Sequence, residues 1–437
     1  MKKIRINKFF RFFVLLGFLA GCSEQSSFHE VEESNNYVGS LKSADLTAEV
    51  DPSTFHQEVT FGGDGKLTIK DWAEKDVSTT SQLLFGDMQL KVLRVPIFAL
   101  QDISDPIYDN VITVIQAVQN VNPNVEIFAS IANGDGYGNH YHGADKFPNQ
   151  WIGCCPYNVY DLNLTAYASY LDSFMDRMSN VGINIDYLGP WNEDPADESD
   201  HRKVFDQMLN LGGTAKVGLE RWGLQTSVND VEDVMGQINV SGSHFYDDDA
   251  IAESSWESTW QQLVNKSSNP VWYTEATRYS TNDGIENLIA GMNNIFPAIR
   301  GGVENVTFYQ VVKRFVWANG TALPIKYSGF KNLVNNASGK RVVPSNSSIN
   351  DVKVIAFAKN KSLSLHFINL STNNKTTRIE LQSGYEAQGT VTRTIWTSSD
   401  TESSNSYNLG GNSAWNVTIP AESYVHINVP LNNNAGN

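Results

Sequence analysis

The chain has 437 residues, 41% of them hydrophobic and 18% charged, a composition that suits a large folded core rather than a disordered chain. With 48 acidic against 32 basic residues, its formal charge of -16 argues against a nucleic-acid groove and favours a neutral partner. Its 3 cysteines give neither a disulfide framework nor a zinc spacing, so no structural metal is expected.

The N-terminus reads as an export signal. Lys2, Lys3, Arg5, Lys8 and Arg11 form a positive region, and Phe12–Ala20 is an apolar run too short to span a bilayer. Leu19-Ala20-Gly21-Cys22 resembles a bacterial lipoprotein signal, which implies lipidation of Cys22 and, with Ser23 following, anchoring at the outer membrane. Residues 1–21 are thus expected to be removed, and the Ser-, Glu- and Asn-rich residues 22–47 to act as a tether.

From Glu58 the chain alternates strand-like and helix-like runs. Lys91–Phe98 and Asn124–Ile131 are near-continuous apolar runs, as strands buried on both faces should be. With Glu58–Gly62, Asn184–Glu193, Lys216–Trp222, Ser241–Tyr246, Val271–Glu275 and Asn305–Val311 they make a set of parallel strands. Between them lie amphipathic stretches, clearest at Thr165–Asn180 and Asp283–Ile299. Eight strand–helix units in roughly 270 residues predict a (β/α)8 TIM barrel. From Ser338 the pattern becomes alternating, as in VKVIAFAK, SLSLHFINL, TTRIEL, TVTRTIW and YVHINV. The fold class is therefore α/β: a barrel over 48–337 with an associated C-terminal β-sandwich over 338–437, to which residues 48–58 are expected to add strands.

Two glutamates close two of these runs. Glu193 follows Tyr187-Leu188-Gly189-Pro190-Trp191-Asn192, and Glu275 ends Val271-Trp272-Tyr273-Thr274. On a barrel both fall at C-terminal strand ends, the fourth and seventh, where catalytic groups sit. Paired carboxylates there are what displacement at a sugar's anomeric carbon needs, one giving a proton and the other attacking. Asp64 beside the first strand's glycines either binds sugar hydroxyls or caps a turn. Trp191, Trp222, Tyr137, Tyr141 and Trp317, at strand ends or in the loops after them, are candidate platforms for sugar rings. The Asn133–Gly138 glycine cluster misses both the phosphate-loop and dinucleotide spacings, so it reads as a loop. Asp247-Asp248-Asp249 reads as a solvated acidic loop rather than a calcium site. Cys154 and Cys155 read as two thiols.

Several short motifs, in order, carry a family resemblance: Phe61-Gly62-Gly63, Leu93-Arg94-Val95, Tyr170-Leu171 with Phe174, Asn192-Glu193, His244-Phe245-Tyr246, Thr274-Glu275, Lys326-Tyr327-Ser328 and Ile419-Pro420-Ala421-Glu422-Ser423. The chain resembles clan A glycoside hydrolases, most closely family 30, and is also similar to the galactosylceramidase-type family 59. The resemblance implies a retaining mechanism with Glu193 as acid/base and Glu275 as nucleophile. Glu193 must hold a proton when the glycosidic oxygen leaves, which a desolvating Trp191 and the nearby Glu275 anion would favour. Arg94 and either Tyr246 or His244 would hold Glu275 charged and oriented, and Asn192 would bind the sugar's 2-hydroxyl. Trp191 replaces the family's usual Gln, and Ala132–Gly143 replaces its Pro- and Trp-rich turn, so the substrate does not carry over. Lys146, Arg278, Lys313 and Arg314 are candidates to read an acidic glycan, or else surface cations.

The expected function is cleavage of a β-linked glycan of the β-glucan, β-galactan or xylan class, without cofactor or metal. Its expected partners are that glycan, a membrane reached only through the lipid anchor, and neighbouring glycan-uptake proteins, with no nucleic acid. An exo-acting β-glycosidase, favoured if the 132–156 loop closes the pocket, a transglycosylase and a non-catalytic glycan-binding lipoprotein stay open.

Overall fold

In the computed structural model, residues 43–153, 162–246, 251–276 and 280–435 are described. Cys22, most of the expected tether, Cys154, Cys155, Asp247–Asp249 and Arg278 lie outside the described residues.

Eight apolar segments form the closed parallel barrel that the strand pattern predicts. They are β2 (Thr60–Asp64), β3 (Val92–Ile97), β4 (Glu126–Ile131), β5 (Tyr187–Gly189), β6 (Ala215–Arg221), β7 (Val240–His244), β8 (Val271–Ala276) and β9 (Asn305–Tyr309), preceded by β1 (Leu46–Val50). Every residue of β3, β7 and β8 is buried, because helices cover the outer wall and side chains fill the inside. Helix Leu164–Asn180 shows the matching stripe, burying Tyr167, Leu171, Phe174 and Met178. β5 is the fourth barrel strand and β8 the seventh, so Glu193 just after one and Glu275 within the other reach the same end of the barrel.

The remaining strands form two sheets. One has the order β11–β1–β13–β16, with β11 (Ser345–Ser347), β13 (Lys375–Leu381) and β16 (Ala414–Ile419). The other runs β10–β12–β17–β14–β15, with β10 (Arg341–Val343), β12 (Val352–Asn369), β14 (Thr390–Trp396), β15 (Ser403–Asn408) and β17 (Ser423–Ala435). β12 folds back on itself at Asn360 (φ 54°), so the Leu370 N–H donates to the Asp351 carbonyl at 2.8 Å. β1 starts at Leu46, inside the stretch expected to be tether, because Leu46, Ala48 and Val50 alternate into the sandwich core. There it runs parallel to β13 and antiparallel to β11.

The second sheet turns a different face to the barrel. Ile355, Phe357, Ile368, Trp396 and Tyr424 join the barrel's apolar core instead of the sandwich's own. Two polar bonds cross this junction to helix Pro324–Ala337. Trp396 Nε1 donates to Ser328 Oγ at 2.9 Å, and the Tyr424 hydroxyl donates to Asn332 Oδ1 at 2.9 Å.

Candidate active site

The chain around Asn192-Glu193 breaks the in–out alternation of a strand. Glu193 adopts φ 66°, a left-handed conformation that is costly for a residue with a side chain. The turn lets Asn192 and Glu193 both face one pocket, while Trp191 points away. Surrounding bonds hold the turn in place. The Glu193 N–H donates to the Glu220 carbonyl at 2.8 Å, and the Asn192 N–H to Asp194 Oδ2 at 3.1 Å. Lys146 Nζ ties Asp194 Oδ2 (2.7 Å) and the Asn192 carbonyl (2.7 Å). Arg221 donates to the Ala196 carbonyl at 2.9 Å and also to that of Asp194.

Glu275 is buried between two cations. Its Oε1 accepts from Arg94 at 2.7 Å and from Lys66 at 2.8 Å, and its Oε2 accepts from the Tyr246 hydroxyl at 2.5 Å. Burial pushes the Glu275 carboxyl up, but His244, Lys66 and Arg94 together outweigh it and hold it far below the ordinary carboxylate range. Glu193 is held differently. Its Oε2 accepts from Asn133 Nδ2 at 2.5 Å, and its Oε1 lies 3.0 Å from His244 Nδ1. One oxygen of each carboxylate and a His244 ring nitrogen fall within 4.8 Å of one another. Lys66 and Arg94 also donate to Asn192 Oδ1, at 2.7 and 2.8 Å, which leaves the amide NH2 to face the pocket.

The pocket has a volume of about 170 Å³. Lys66, Asn192, Glu193, Tyr246, Glu275 and Tyr309 form its wall and floor. Trp222, 39% exposed and stacked on Tyr246 with ring centroids 4.0 Å apart, forms one side. His140 and His142 bring the loop after β4 over it. A larger cleft of about 620 Å³ lies between the sandwich and barrel, lined by Glu49, Asp51, His56 and Arg300 among others. It contains neither the paired carboxylates nor an aromatic platform, so the smaller pocket is the candidate site.

No protein-family model matches this sequence, and no curated protein matches it significantly. Solved structures do match its fold. A glycoside hydrolase family 30 subfamily 8 xylanase from Clostridium acetobutylicum is 16% identical, with TM-score 0.69 over 88% of this chain and 99% of that one. A family 30 endoxylanase from Clostridium papyrosolvens C71 is also 16% identical, with TM-score 0.65 over 88% of this chain and all of that one. An endo-β-1,6-glucanase is 12% identical, with TM-score 0.57 over 88% and 94% of the two chains. The shared fold covers barrel and sandwich together.

The structure thus brings Glu193, Glu275, Asn192, Arg94, His244, Tyr246 and Trp222 to one site, with Arg94 and His244 just behind the wall. Several expected binders, Trp191, Asp64, Trp317, Tyr137, Tyr141 and Lys146, are not in the pocket lining. Trp191 is buried against Phe147, Tyr167 and His201, because the turn at Glu193 sends its ring into the packing behind the loop. Asp64 is buried beneath the pocket, where its Oδ1 accepts the Lys66 N–H at 2.7 Å and its Oδ2 faces Arg94 at 3.4 Å; it caps a turn. Trp317 is 41% exposed, on a loop beyond β9. Tyr137 donates to Asp105 instead of facing the pocket, and Lys146 spends its charge on Asp194.

Lys66, Asn133 and Glu220 were not foreseen. Lys66 directly follows Gly63-Asp64-Gly65, and Asn133 begins the glycine-rich loop, neither with a pattern that gives its direction. Glu220, inside a strand, carried the one readable signal: a carboxylate in the apolar run KVGLERW. As for a metal, Glu193, His244 and Glu275 have their ligand atoms close enough together to hold one. Glu275 Oε1, however, already accepts from two cations, and a dication would sit against Lys66 and Arg94. The donor set fits a neutralised charge network better than a metal cradle.

Proposed function

We propose that this protein is a retaining β-glycoside hydrolase, with Glu275 as nucleophile and Glu193 as acid/base. The observation that carries the reading is that one oxygen of each carboxylate lies within 4.8 Å of the other in one pocket. Retaining enzymes keep the two groups about 5–5.5 Å apart, whereas inverting ones leave about 6.5–9.5 Å for a water. The electrostatics support the same division of labour. Glu275 is held as an anion by two cations, ready to attack. Glu193 touches neither Lys66 nor Arg94 and lines the same pocket, with its oxygens held by Asn133 and His244.

The substrate class proposed is a β-linked polysaccharide such as a xylan, β-glucan or β-galactan. Among the solved structures that share this fold are xylanases and an endo-β-1,6-glucanase, which supports the xylan and β-glucan members of that class. A second reading, exo-action on chain ends, draws on one observation: the pocket is about the size of one sugar ring, and His140 and His142 come over it. Product lengths separate the two.

The test is product release from xylans, β-glucans and β-galactans, with Glu193→Gln and Glu275→Gln alongside and the product anomer followed by NMR. The expected result is a β product first, with each variant about 10²–10⁴-fold slower on the polymer. Aryl glycosides with a good leaving group need no acid, so Glu193→Gln should still be glycosylated by them while Glu275→Gln is not. Polymer cleavage that survives either substitution would overturn the assignment. Saturable binding without cleavage would point to a glycan-binding protein.

We also infer export and lipid anchoring through Cys22, supported by the basic, apolar and Leu-Ala-Gly-Cys order of residues 2–22. Radiolabelled palmitate should enter the wild-type chain and not Cys22→Ser; equal labelling of both would refute the anchor.

A further inference from the structure

One buried carboxylate in the site has no role in the mechanism above. Glu220 lies near the end of β6, fully buried, where the backbone is strained. Leu219 (φ 72°) and Glu220 (φ 41°) are successive left-handed residues, and the register with β7 slips between Leu219 and Arg221. Such conformations are costly for residues with side chains and persist only where neighbours enforce them. Here the Leu219 N–H donates to His201 Nε2 at 3.4 Å, and the Glu220 carbonyl accepts from the Glu193 N–H at 2.8 Å. The facing strand makes room for the side chain: a Cβ on Gly242 would stand 2.7 Å from Glu220 Oε1.

Glu220 Oε2 accepts from Arg94 at 2.5 Å. Glu220 Oε1 and His244 Nε2 are both buried without a hydrogen-bond partner, and they face each other at 3.7 Å. The other imidazole nitrogen, Nδ1, lies 3.0 Å from Glu193 Oε1 and 3.6 Å from Glu275 Oε2. His244 therefore links the unassigned carboxylate to the acid/base candidate.

We propose that Glu220 is a positioning residue that keeps a proton on His244 Nε2, so that His244 Nδ1 and Glu193 Oε1 share one exchangeable proton. This rests on the retaining-glycosidase reading. With Nε2 always protonated, two arrangements hold the same number of protons. In one, neutral His244 accepts from the Glu193 acid; in the other, the imidazolium donates to the Glu193 carboxylate. In the first chemical step Glu275 bonds to the anomeric carbon as the glycosidic bond breaks. The leaving oxygen takes the shared proton, leaving Glu193 as a carboxylate and His244 neutral. Water then attacks the same carbon, the ester to Glu275 breaks, and the proton lost by water returns to the pair.

The groups around His244 agree with this. Glu193 faces it from the loop after β5, Glu220 from β6 and Glu275 from β8, while the Tyr246 ring meets it edge-on with centroids 5.7 Å apart. Arg94 and Lys66 act on it through these carboxylates. Burial pulls the imidazole pKa down, but Glu275, Glu193 and Glu220 together raise it to about 9.

The test uses the whole protein with ¹⁵N-labelled histidine, the His244 signals being identified by their loss in His244→Gln. Nitrogen–proton couplings then show which ring nitrogen is protonated between pH 5 and 9. The expected wild-type spectrum keeps Nε2 protonated throughout, with Nδ1 intermediate in shift. In Glu220→Gln the His244 titration should fall by about one pH unit or more, a tenfold change in proton affinity. The basic limb of kcat/KM should fall with it while KM holds. An unprotonated Nε2 in the wild type at neutral pH would overturn the proposal, as would a His244 titration unmoved by Glu220→Gln. If that variant does not fold, the wild-type spectrum still decides. If the wild type cuts no glycan, the glycosidase reading fails, and the spectra still report whether Glu220 holds the Nε2 proton.

Discussion

Lys66 shows how much one side chain changes the chemistry of this site. Many carboxylates are held charged by one cation, but Glu275 has both Lys66 and Arg94 on the same oxygen. Lys66 also fixes the Asn192 amide, so it acts on the proposed nucleophile and on the group beside it. Lys66→Met keeps the length of the side chain and removes the charge. Glu275 then keeps Arg94 but loses part of what offsets its burial, so its proton affinity should rise. The expected outcome is a kcat/KM lower by about 10-fold or more, with its acid limb moved to higher pH, because that limb reports ionisation of the free nucleophile. A pH–rate profile on a soluble aryl glycoside checks this; an unmoved acid limb would show that Arg94 alone sets the state of Glu275.

At the scale of elements, what could be read from the sequence follows from what each element depends on. The barrel strands are legible because strands covered on both faces need unbroken apolar runs, and KVLRVPIF and NVEIFASI are such runs. The same rule makes a carboxylate that closes such a run stand out, which is why Glu275 could be picked out, whereas Arg94 and His244 were reached through the family resemblance. Glu220 obeys the rule too, but its direction depends on a bulge, and a bulge at Leu219–Glu220 leaves no mark on the periodicity. Trp191 lies outside the pocket lining for a related reason: its place at a strand end says nothing of its direction, which the left-handed turn at Glu193 sets. Lys66 and Asn133 sit on loops, where side-chain direction depends on the finished fold. The hairpin at Asn360 was legible as two strands, because Lys359-Asn360-Lys361 interrupts the apolar pattern where the chain turns.

Across the whole molecule, buried histidines in two separate clusters contribute to the pH dependence of stability with opposite sign. At the junction of sandwich and barrel, the stacked rings of His366 and His426 lie 4.7 Å apart. Their bonds form one directed chain. His426 Nε2 donates to Ser364 Oγ (2.9 Å), and Ser364 donates to His366 Nε2 (2.9 Å). His366 Nδ1 then donates to the Tyr424 hydroxyl (2.7 Å), which donates to Asn332. The order works only while His366 is neutral, since a proton on its Nε2 would face Ser364 with no acceptor. Burial, with Lys340 adding to it, lowers the His426 pKa to about 3, and burial, His426 and Lys340 keep His366 well below its ordinary value. Below about pH 6.5 the unfolded chain therefore binds protons that the folded one refuses, and each histidine costs about 1.4 kcal/mol per pH unit. His244 has the opposite sign. Burial lowers its pKa, but the carboxylates around it raise it to about 9, so the stability it contributes is present below pH 6.5 and lost as pH rises through 9. Taken by themselves these three histidines are most favourable near pH 6.5, while Lys326 and Lys340, each lowered to about 8 by burial, stabilise the fold as pH rises above 8 and oppose the loss at His244. The thermal unfolding midpoint from pH 4.5 to 9.5 reads the sum. Replacing His426 and His366 together by Gln should flatten the acid side alone, and His244→Gln the alkaline side alone. Acid and alkaline sides that both survive these substitutions would place the titrating groups elsewhere in the fold.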